Sequence, residues 1–109
     1  MLVRRIYHLV PRSTWEAAPP AAYHVPSLET EGFIHCSNRE QVARSANKFY
    51  PSESEMLLLA IDPSRLTSEL RDEEGRPGEL FPHIYGPINR EAIVEVIPLE
   101  RGPDGRWQF

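Results

Sequence analysis

A glycine turn, a short strand and the start of a helix follow one another in Glu31-Gly32-Phe33-Ile34-His35-Cys36-Ser37. Alternation along the strand puts His35 and Ser37 on one face and Cys36 on the other. Residues 37–40, Ser-Asn-Arg-Glu, have the spacing of a capping box, so we expect Ser37 to cap the next helix. His35 and Ser37 would then lie beside free amides and the positive end of the helix dipole, a setting that suits phosphate.

The segments on either side are predicted to be short strands and short helices. Residues 56–61, Met-Leu-Leu-Leu-Ala-Ile, are a continuous apolar run, which is typical of a central strand covered on both faces. The helix after Ser37 is expected to end at Pro51, with an apolar stripe of Val42, Ala46, Phe49 and Tyr50. Other strands are expected over residues 3–10, 33–36, 66–73, 83–85, 92–99 and 106–109, a helical turn over 26–31 and a mobile loop over 74–78. Eleven prolines make long helices rare, so an α+β fold is predicted.

Length and composition narrow the class of protein. The 109 residues suit one domain spanning 1–109, and 40% apolar with 26% charged residues is ordinary for a globular protein. The net charge of −4 argues against a general nucleic-acid-binding surface. No run is long enough to span a bilayer or to form a signal peptide, and the single cysteine cannot make an internal disulfide. We therefore expect a cytoplasmic protein without a membrane partner.

The histidines are the first candidates for chemistry. His8 lies in the middle of the first strand, where an imidazole is either a hydrogen-bonded core residue or the floor of a cleft. His24 lies among prolines and is expected on the surface. His83 and Tyr85 share a strand face within Phe81-Pro82-His83-Ile84-Tyr85-Gly86-Pro87, whose prolines and glycine fix the backbone as active-site loops often require.

Other reactive groups are weaker candidates. Cys36 is expected to be buried and inert, because His35 points to the opposite face of the strand and cannot activate the thiol. No C-x-x-C or H-x-x-x-H pair is present, so no metal is expected. Glu31 and Glu79 are candidate carboxylates only through proximity to the histidine segments. The pair Glu73-Glu74 is interpreted as solvated loop charge.

Four segments together carry a family resemblance. They are, in chain order, Ile6-Tyr7-His8, residues 31–37, Leu57-Leu58-Leu59 with Ile61-Asp62, and residues 82–87. This sequence resembles the small bacterial family called domain of unknown function 952 over about residues 3–99. The second and fourth segments are the specific ones. The family name states no activity.

A remoter similarity is to the ADP-ribosyltransferase superfamily, especially its RNA 2′-phosphotransferase branch. It implies a split, mostly antiparallel β-sheet around a cleft, with small flanking helices. His8 resembles the first-strand polar residue that holds the NAD ribose, while His35 and Ser37 resemble the polar pair at the end of the strand that follows. Leu9-Val10 stands where those transferases carry Gly-Thr, and no residue matches their late catalytic glutamate or arginine.

The resemblance implies a protein that binds NAD or an ADP-ribosyl nucleotide, with NAD as substrate. The implied catalytic residues are His8, His35 and His83, and the implied ligand-binding residues are His8, His35, Ser37 and Tyr85. In this hypothesis His8 bonds ribose hydroxyls, Tyr85 stacks on nicotinamide or adenine, and His35 with the amides beyond Ser37 meets the pyrophosphate.

Two alternatives stay open. Cleavage of the nicotinamide bond passes through an oxocarbenium-like state that needs a nearby carboxylate, and the sequence offers no clear one. A non-catalytic ligand-binding or protein-interaction module is therefore the first alternative, and a metal-assisted hydrolase that uses the histidines is the second. A phosphorylated RNA end also stays open as a ligand.

Overall fold

A computed structural model describes residues 4–109, and in them short strands alternate with short helices. The strands are β1 (Ile6–Pro11), β2 (Ile34–His35), β3 (Met56–Ile61), β4 (Glu69–Arg76), β5 (Glu79–Tyr85), β6 (Ile93–Pro98), β7 (Glu100–Arg101) and β8 (Trp107–Gln108). The α-helices are α1 (Arg12–Ala17), α2 (Ser27–Thr30) and α3 (Val42–Phe49), with 3₁₀ turns at Arg39–Gln41, Pro63–Arg65 and Arg90–Ala92. The α+β class is confirmed. The predicted beginning of the first strand at residue 3 lies outside the described residues.

The strands form two three-stranded antiparallel sheets and one small hairpin. The first sheet has the order β1-β3-β6, the second sheet has the order β2-β5-β4, and β7 pairs with β8. Every side chain of β3 is buried, as its apolar sequence predicts for a central strand. His8 of β1 lies opposite Leu59 of β3, and His35 of β2 lies opposite His83 of β5.

One backbone bridge joins the two sheets. The N–H of Tyr7 donates to the carbonyl of Ser37 at 2.9 Å, and the N–H of Ser37 donates to the carbonyl of Tyr7 at 2.7 Å. Because Tyr7 precedes His8 and Ser37 follows β2, this bridge brings the middle of β1 next to the histidine end of β2. The bridge therefore sets the distance between histidines from different sheets.

Two apolar clusters hold these layers together. The first joins the inner face of the first sheet, including Ile6 and Leu59, to Ile34 and Ile84 of the second sheet. The second joins the other face of the first sheet, including Leu58, to α3 and the C-terminal hairpin. The first sheet is thus the middle layer, and its central strand β3 is covered on both faces.

The expectation that Ser37 caps a helix is wrong. The capping box belongs to Asn38 and Gln41, and the N–H of Asn38 donates to Oε1 of Gln41 at 2.8 Å. A 3₁₀ turn then precedes α3, which begins at Val42. The physical reason is the bridge to Tyr7, which keeps Ser37 in extended pairing. No free amide at Ser37 is left for a phosphate.

The loop expected over residues 74–78 is mostly strand. β4 continues to Arg76, and a tight turn at Pro77 and Gly78 leads directly into β5. Gly78 has φ +79°, a left-handed conformation that favours glycine, and this lets the two long strands pair almost to their ends. The hairpin is therefore longer than predicted, and Phe81 and Pro82 lie inside a strand.

Candidate functional site

A cavity of about 790 Å³ lies where the two sheets and α3 meet. Its lining includes His8 of β1, His35 of β2, His83 of β5 and Ser37 after β2. The structure therefore brings together four of the five predicted site residues. His24 is exposed and is not part of the lining, as expected.

His8 is a buried histidine whose orientation is fixed by the backbone. Its Nδ1 lies 2.8 Å from the carbonyl oxygen of His35, and because a carbonyl only accepts, Nδ1 carries the hydrogen. Burial lowers the pKa of His8, although the bond to the His35 carbonyl opposes this effect. The neutral ring then has an unprotonated Nε2 as its second hydrogen-bonding atom. His8 thus combines both of its sequence-based interpretations, a satisfied core residue that also lines a cleft.

His83 is held by a carboxylate and by an aromatic ring. Its Nδ1 lies 2.9 Å from Oε1 of Glu73, and the hydroxyl of Tyr85 donates to the same oxygen at 2.5 Å. The ring of His83 stacks on Phe33 with centroids 4.1 Å apart, and the ring of His35 lies 5.4 Å away. His83 therefore has one nitrogen committed to Glu73 and little freedom to rotate.

Hydrogen bonds keep Glu73 ionised. The bond from Tyr85 and then the bond from His83 lower the pKa of the Glu73 carboxyl group. The same contact with Glu73 raises the pKa of Tyr85, so the phenol remains a donor. Because an ionised carboxylate only accepts, Nδ1 of His83 carries the hydrogen in this pair.

The interpretation of Glu73 as solvated loop charge is wrong. Glu73 lies within β4, opposite Phe81, and its side chain faces the histidine side of the second sheet. The predicted strand over residues 66–73 already contains Glu73, but its pairing with β5, which places Glu73 diagonally next to His83, does not follow from the sequence pattern. The alternation of Glu69, Arg71 and Glu73 with a tight turn at Pro77-Gly78 was the available signal.

Of the two carboxylates that the sequence places near the histidine segments, Glu31 and Glu79, only Glu31 lines the cavity. Oε2 of Glu31 lies 3.0 Å from Nε2 of the exposed His35, and Glu31 lines the cavity. Glu79 lies outside the lining, where its carboxylate accepts hydrogen bonds from Gln41 and Arg44. Glu31 thus lines the cavity and is paired with His35.

Three cations line the cavity beside α3, and we call Arg44, Lys48 and Arg76 the cationic wall. Arg44 and Lys48 lie one helical turn apart, and Arg76 ends β4. Arg44 pairs with Glu79, whose other oxygen lies 3.9 Å from Nε of Arg76. Apolar spacing along the helix does not reveal this group, although Arg44 and Lys48 are visible in the sequence as an i, i+4 pair of cations.

Aromatic rings complete the lining. Phe33 and Phe81 lie on the sheet, whereas Phe49 belongs to α3 and is 65% exposed, not buried in an apolar stripe as expected. A Cβ atom on Gly75 would lie 2.4 Å from Cδ1 of Phe81, so the glycine makes room for this ring. Tyr85 is outside the lining, and Arg71 covers one face of its ring at 4.3 Å.

Cys36 is buried and packs in the same cluster as Ile34, so its predicted burial is confirmed. Burial raises the pKa of the thiol, which disfavours the reactive thiolate. Among residues 4–109, no group of three or more His, Cys, Asp or Glu side chains is arranged to hold a metal ion. No helix in the same range is long and apolar enough to cross a membrane.

Residues 9–96 match the model of a family described as a protein of unknown function, DUF952. The chain belongs to this family. The protein CC0527 from Caulobacter crescentus has the same fold: its crystal structure gives a TM-score of 0.82 at 30% identity, covering 95% of this chain and 93% of that one. Its solution NMR structure gives a TM-score of 0.79 at 30% identity, covering 95% and 91%. Among curated proteins, none matches this DUF952 chain.

Proposed function

We propose that this DUF952 protein binds NAD or an ADP-ribosyl nucleotide in the histidine-lined cavity and acts as an ADP-ribosyltransferase-like enzyme. The observation that carries the proposal is the convergence of His8, His35 and His83 from three strands of two sheets on one cavity, with the cationic wall in the same lining. The joined pair of sheets is also consistent with the split sheet of that superfamily.

The cavity suits a ligand with aromatic, sugar and phosphate parts. Its volume of about 790 Å³ lies in the range of cavities that hold small molecules. Phe33 and Phe81 line the cavity and offer ring faces for nicotinamide or adenine. The sequence had suggested Tyr85 for this role, but Tyr85 is outside the lining and Arg71 covers one face of its ring. Nε2 of neutral His8 would accept a hydrogen bond from a ribose hydroxyl, as the resemblance implies.

The diphosphate has a different partner from the one the sequence predicted. The N–H groups of Ser37 and Asn38 are committed to the bridge and the capping box, and residues 38–41 do not line the cavity. Guanidinium and ammonium groups bind phosphate strongly, and the cationic wall supplies both kinds. We therefore assign the diphosphate to Arg44, Lys48 and Arg76, with His35 at the edge of the same lining.

Catalysis needs negative charge near the sugar that loses nicotinamide. Glu31 lines the cavity as part of the pair with His35, so it is our candidate for stabilising the oxocarbenium-like state. In a protein that only binds the nucleotide, Glu31 would instead orient His35. This difference separates the enzyme from the non-catalytic module.

The test is incubation of the purified protein with NAD, followed by chromatography for free nicotinamide. The enzyme is supported if the wild type releases nicotinamide and the Glu31→Gln variant releases less of it. Binding of ADP-ribose without release of nicotinamide supports the binding module. Adding an RNA oligonucleotide with a 2′-phosphate tests a phosphorylated RNA end as the acceptor. If NAD, ADP-ribose and this oligonucleotide all fail to bind at millimolar concentration, the proposal is wrong.

A further inference from the structure

We infer that Glu73 is a positioning residue, which fixes the tautomer of His83 so that Nε2 of His83 takes the proton from the attacking hydroxyl group. The inference rests on the proposed function and names the group that would activate its nucleophile. It assigns a role to a pair, Glu73 and His83, that the sequence motifs do not link.

The geometry commits only one nitrogen of His83. Nδ1 lies 2.9 Å from Glu73, whereas no hydrogen bond between residues 4–109 involves Nε2. The side chain is 6% exposed and lines the cavity, so Nε2 is the ring atom left for a ligand there. A histidine with Nδ1 protonated and Nε2 free has the form required of a general base.

The surroundings of Glu73 hold this arrangement in place. Tyr85 donates a second hydrogen bond to the oxygen that His83 uses, and Phe33 stacks flat against the imidazole. Both contacts restrict rotation of the ring, so the tautomer and the direction of Nε2 are set before a ligand enters. A carboxylate that served only solubility would not need hydrogen bonds from both Tyr85 and His83.

The chemical step balances without a metal or redox partner. As the acceptor oxygen forms its bond to C1′ of the ribose, the C–N bond to nicotinamide breaks and its electron pair leaves with neutral nicotinamide. The proton of the acceptor hydroxyl moves to Nε2 of His83, and the imidazolium keeps its Nδ1–H bond to Glu73. With water as acceptor, the products are ADP-ribose, nicotinamide and one proton.

The experiment compares Glu73→Gln with the wild type by two readouts. Two-dimensional ¹⁵N NMR of the histidine rings should show His83 with Nδ1 protonated in the wild type, and Glu73→Gln should populate the other tautomer. In nicotinamide release, Glu73→Gln should lower kcat by about 10- to 100-fold with little change in KM. Tyr85→Phe removes the hydrogen bond from Tyr85 to Glu73 but keeps the bond between Glu73 and His83, so it should lower kcat only a few-fold.

Asp72→Asn is the matched control. Asp72 precedes Glu73 on β4, pairs with Arg4 and does not line the cavity, so kcat and the His83 tautomer should stay unchanged. Protonation of Nε2 in the wild type, or an unchanged kcat in Glu73→Gln, would overturn the role of Glu73 while leaving the proposed function in place. Absence of nicotinamide release from the wild type would overturn the proposed function, and with it the role of His83 as a base, whichever tautomer NMR shows.

Discussion

The sheet side and the helix side of the cavity are built in different ways. On the second sheet, His83 is buried between Phe33 and Glu73, and its Nδ1 is bonded to Glu73. On the helix side, Arg44 and Lys48 of the cationic wall are exposed. The sheet side thus has fixed geometry, which suits chemistry on a bound group, whereas the helix side offers charge that can adjust to a phosphate.

The largest expected effect is a difference in stability between two phenylalanine variants, one on each side of the cavity. Phe33→Ala should lower the free energy of unfolding by about 2 kcal/mol, since it removes a half-buried ring that stacks on His83. Phe49→Ala, on the exposed side of α3, should change it by less than about 0.5 kcal/mol. Urea unfolding of both variants measures this. Equal losses would contradict the contrast between a fixed and an adjustable side.

The next effect concerns ligand affinity without a change in stability. Lys48→Ala should weaken binding of ADP-ribose by about 3- to 10-fold and reduce its salt dependence, because one cation is removed from the cavity. Arg65→Ala removes a cation outside the lining and should have no such effect. Calorimetric titration at two salt concentrations distinguishes the two variants. Similar affinities and salt slopes for both would remove Lys48 from the site.

A smaller effect is expected for stability at different pH values. Burial lowers the pKa of His8, so the unfolded chain takes up a proton near pH 6.5 while the folded protein resists it. Stability should therefore decrease as the pH falls below about 6.5, by at most about 1.4 kcal/mol per pH unit from this group. His8→Asn keeps a donor near the Nδ1 position but cannot titrate. Denaturant unfolding between pH 7.5 and 5.5 should show a flatter profile for this variant, and an unchanged slope would exclude His8 as the source.

The labelling of Cys36 tests how firmly the edge of the second sheet is held. The thiol is buried and its pKa is raised by burial, so a thiol reagent should modify the folded protein at least ~100-fold more slowly than the unfolded chain. Mass spectrometry after timed labelling measures both rates. Rapid modification of the folded protein would show that this edge of the second sheet opens readily.

The sequence predicted those features that depend on local pattern. The apolar run 56–61 indicated the central strand, and alternation placed Ile34 in the core and His35 on the cavity side. Features that depend on pairing between distant residues were missed. Ser37 is extended because it pairs with Tyr7, and Glu73 meets His83 only through the register of a hairpin.

The cationic wall shows the same limit. Arg44 and Lys48 are visible as neighbours on a helix face, but only the position of α3 beside the second sheet turns that face toward a cavity. Arg76 joins them because β4 extends beyond its predicted end. Such groupings follow from tertiary packing, which composition and spacing do not determine.

The most direct measurement is calorimetric titration of the wild type, His35→Ala and His24→Ala with NAD and with ADP-ribose. Wild type and His24→Ala should bind equally. His35→Ala should lose about 10- to 100-fold in affinity, the cost of one hydrogen bond to a charged group. Equal affinities for the two variants would remove His35 from the site. Absence of binding of either ligand at millimolar concentration would contradict the proposed nucleotide cavity itself.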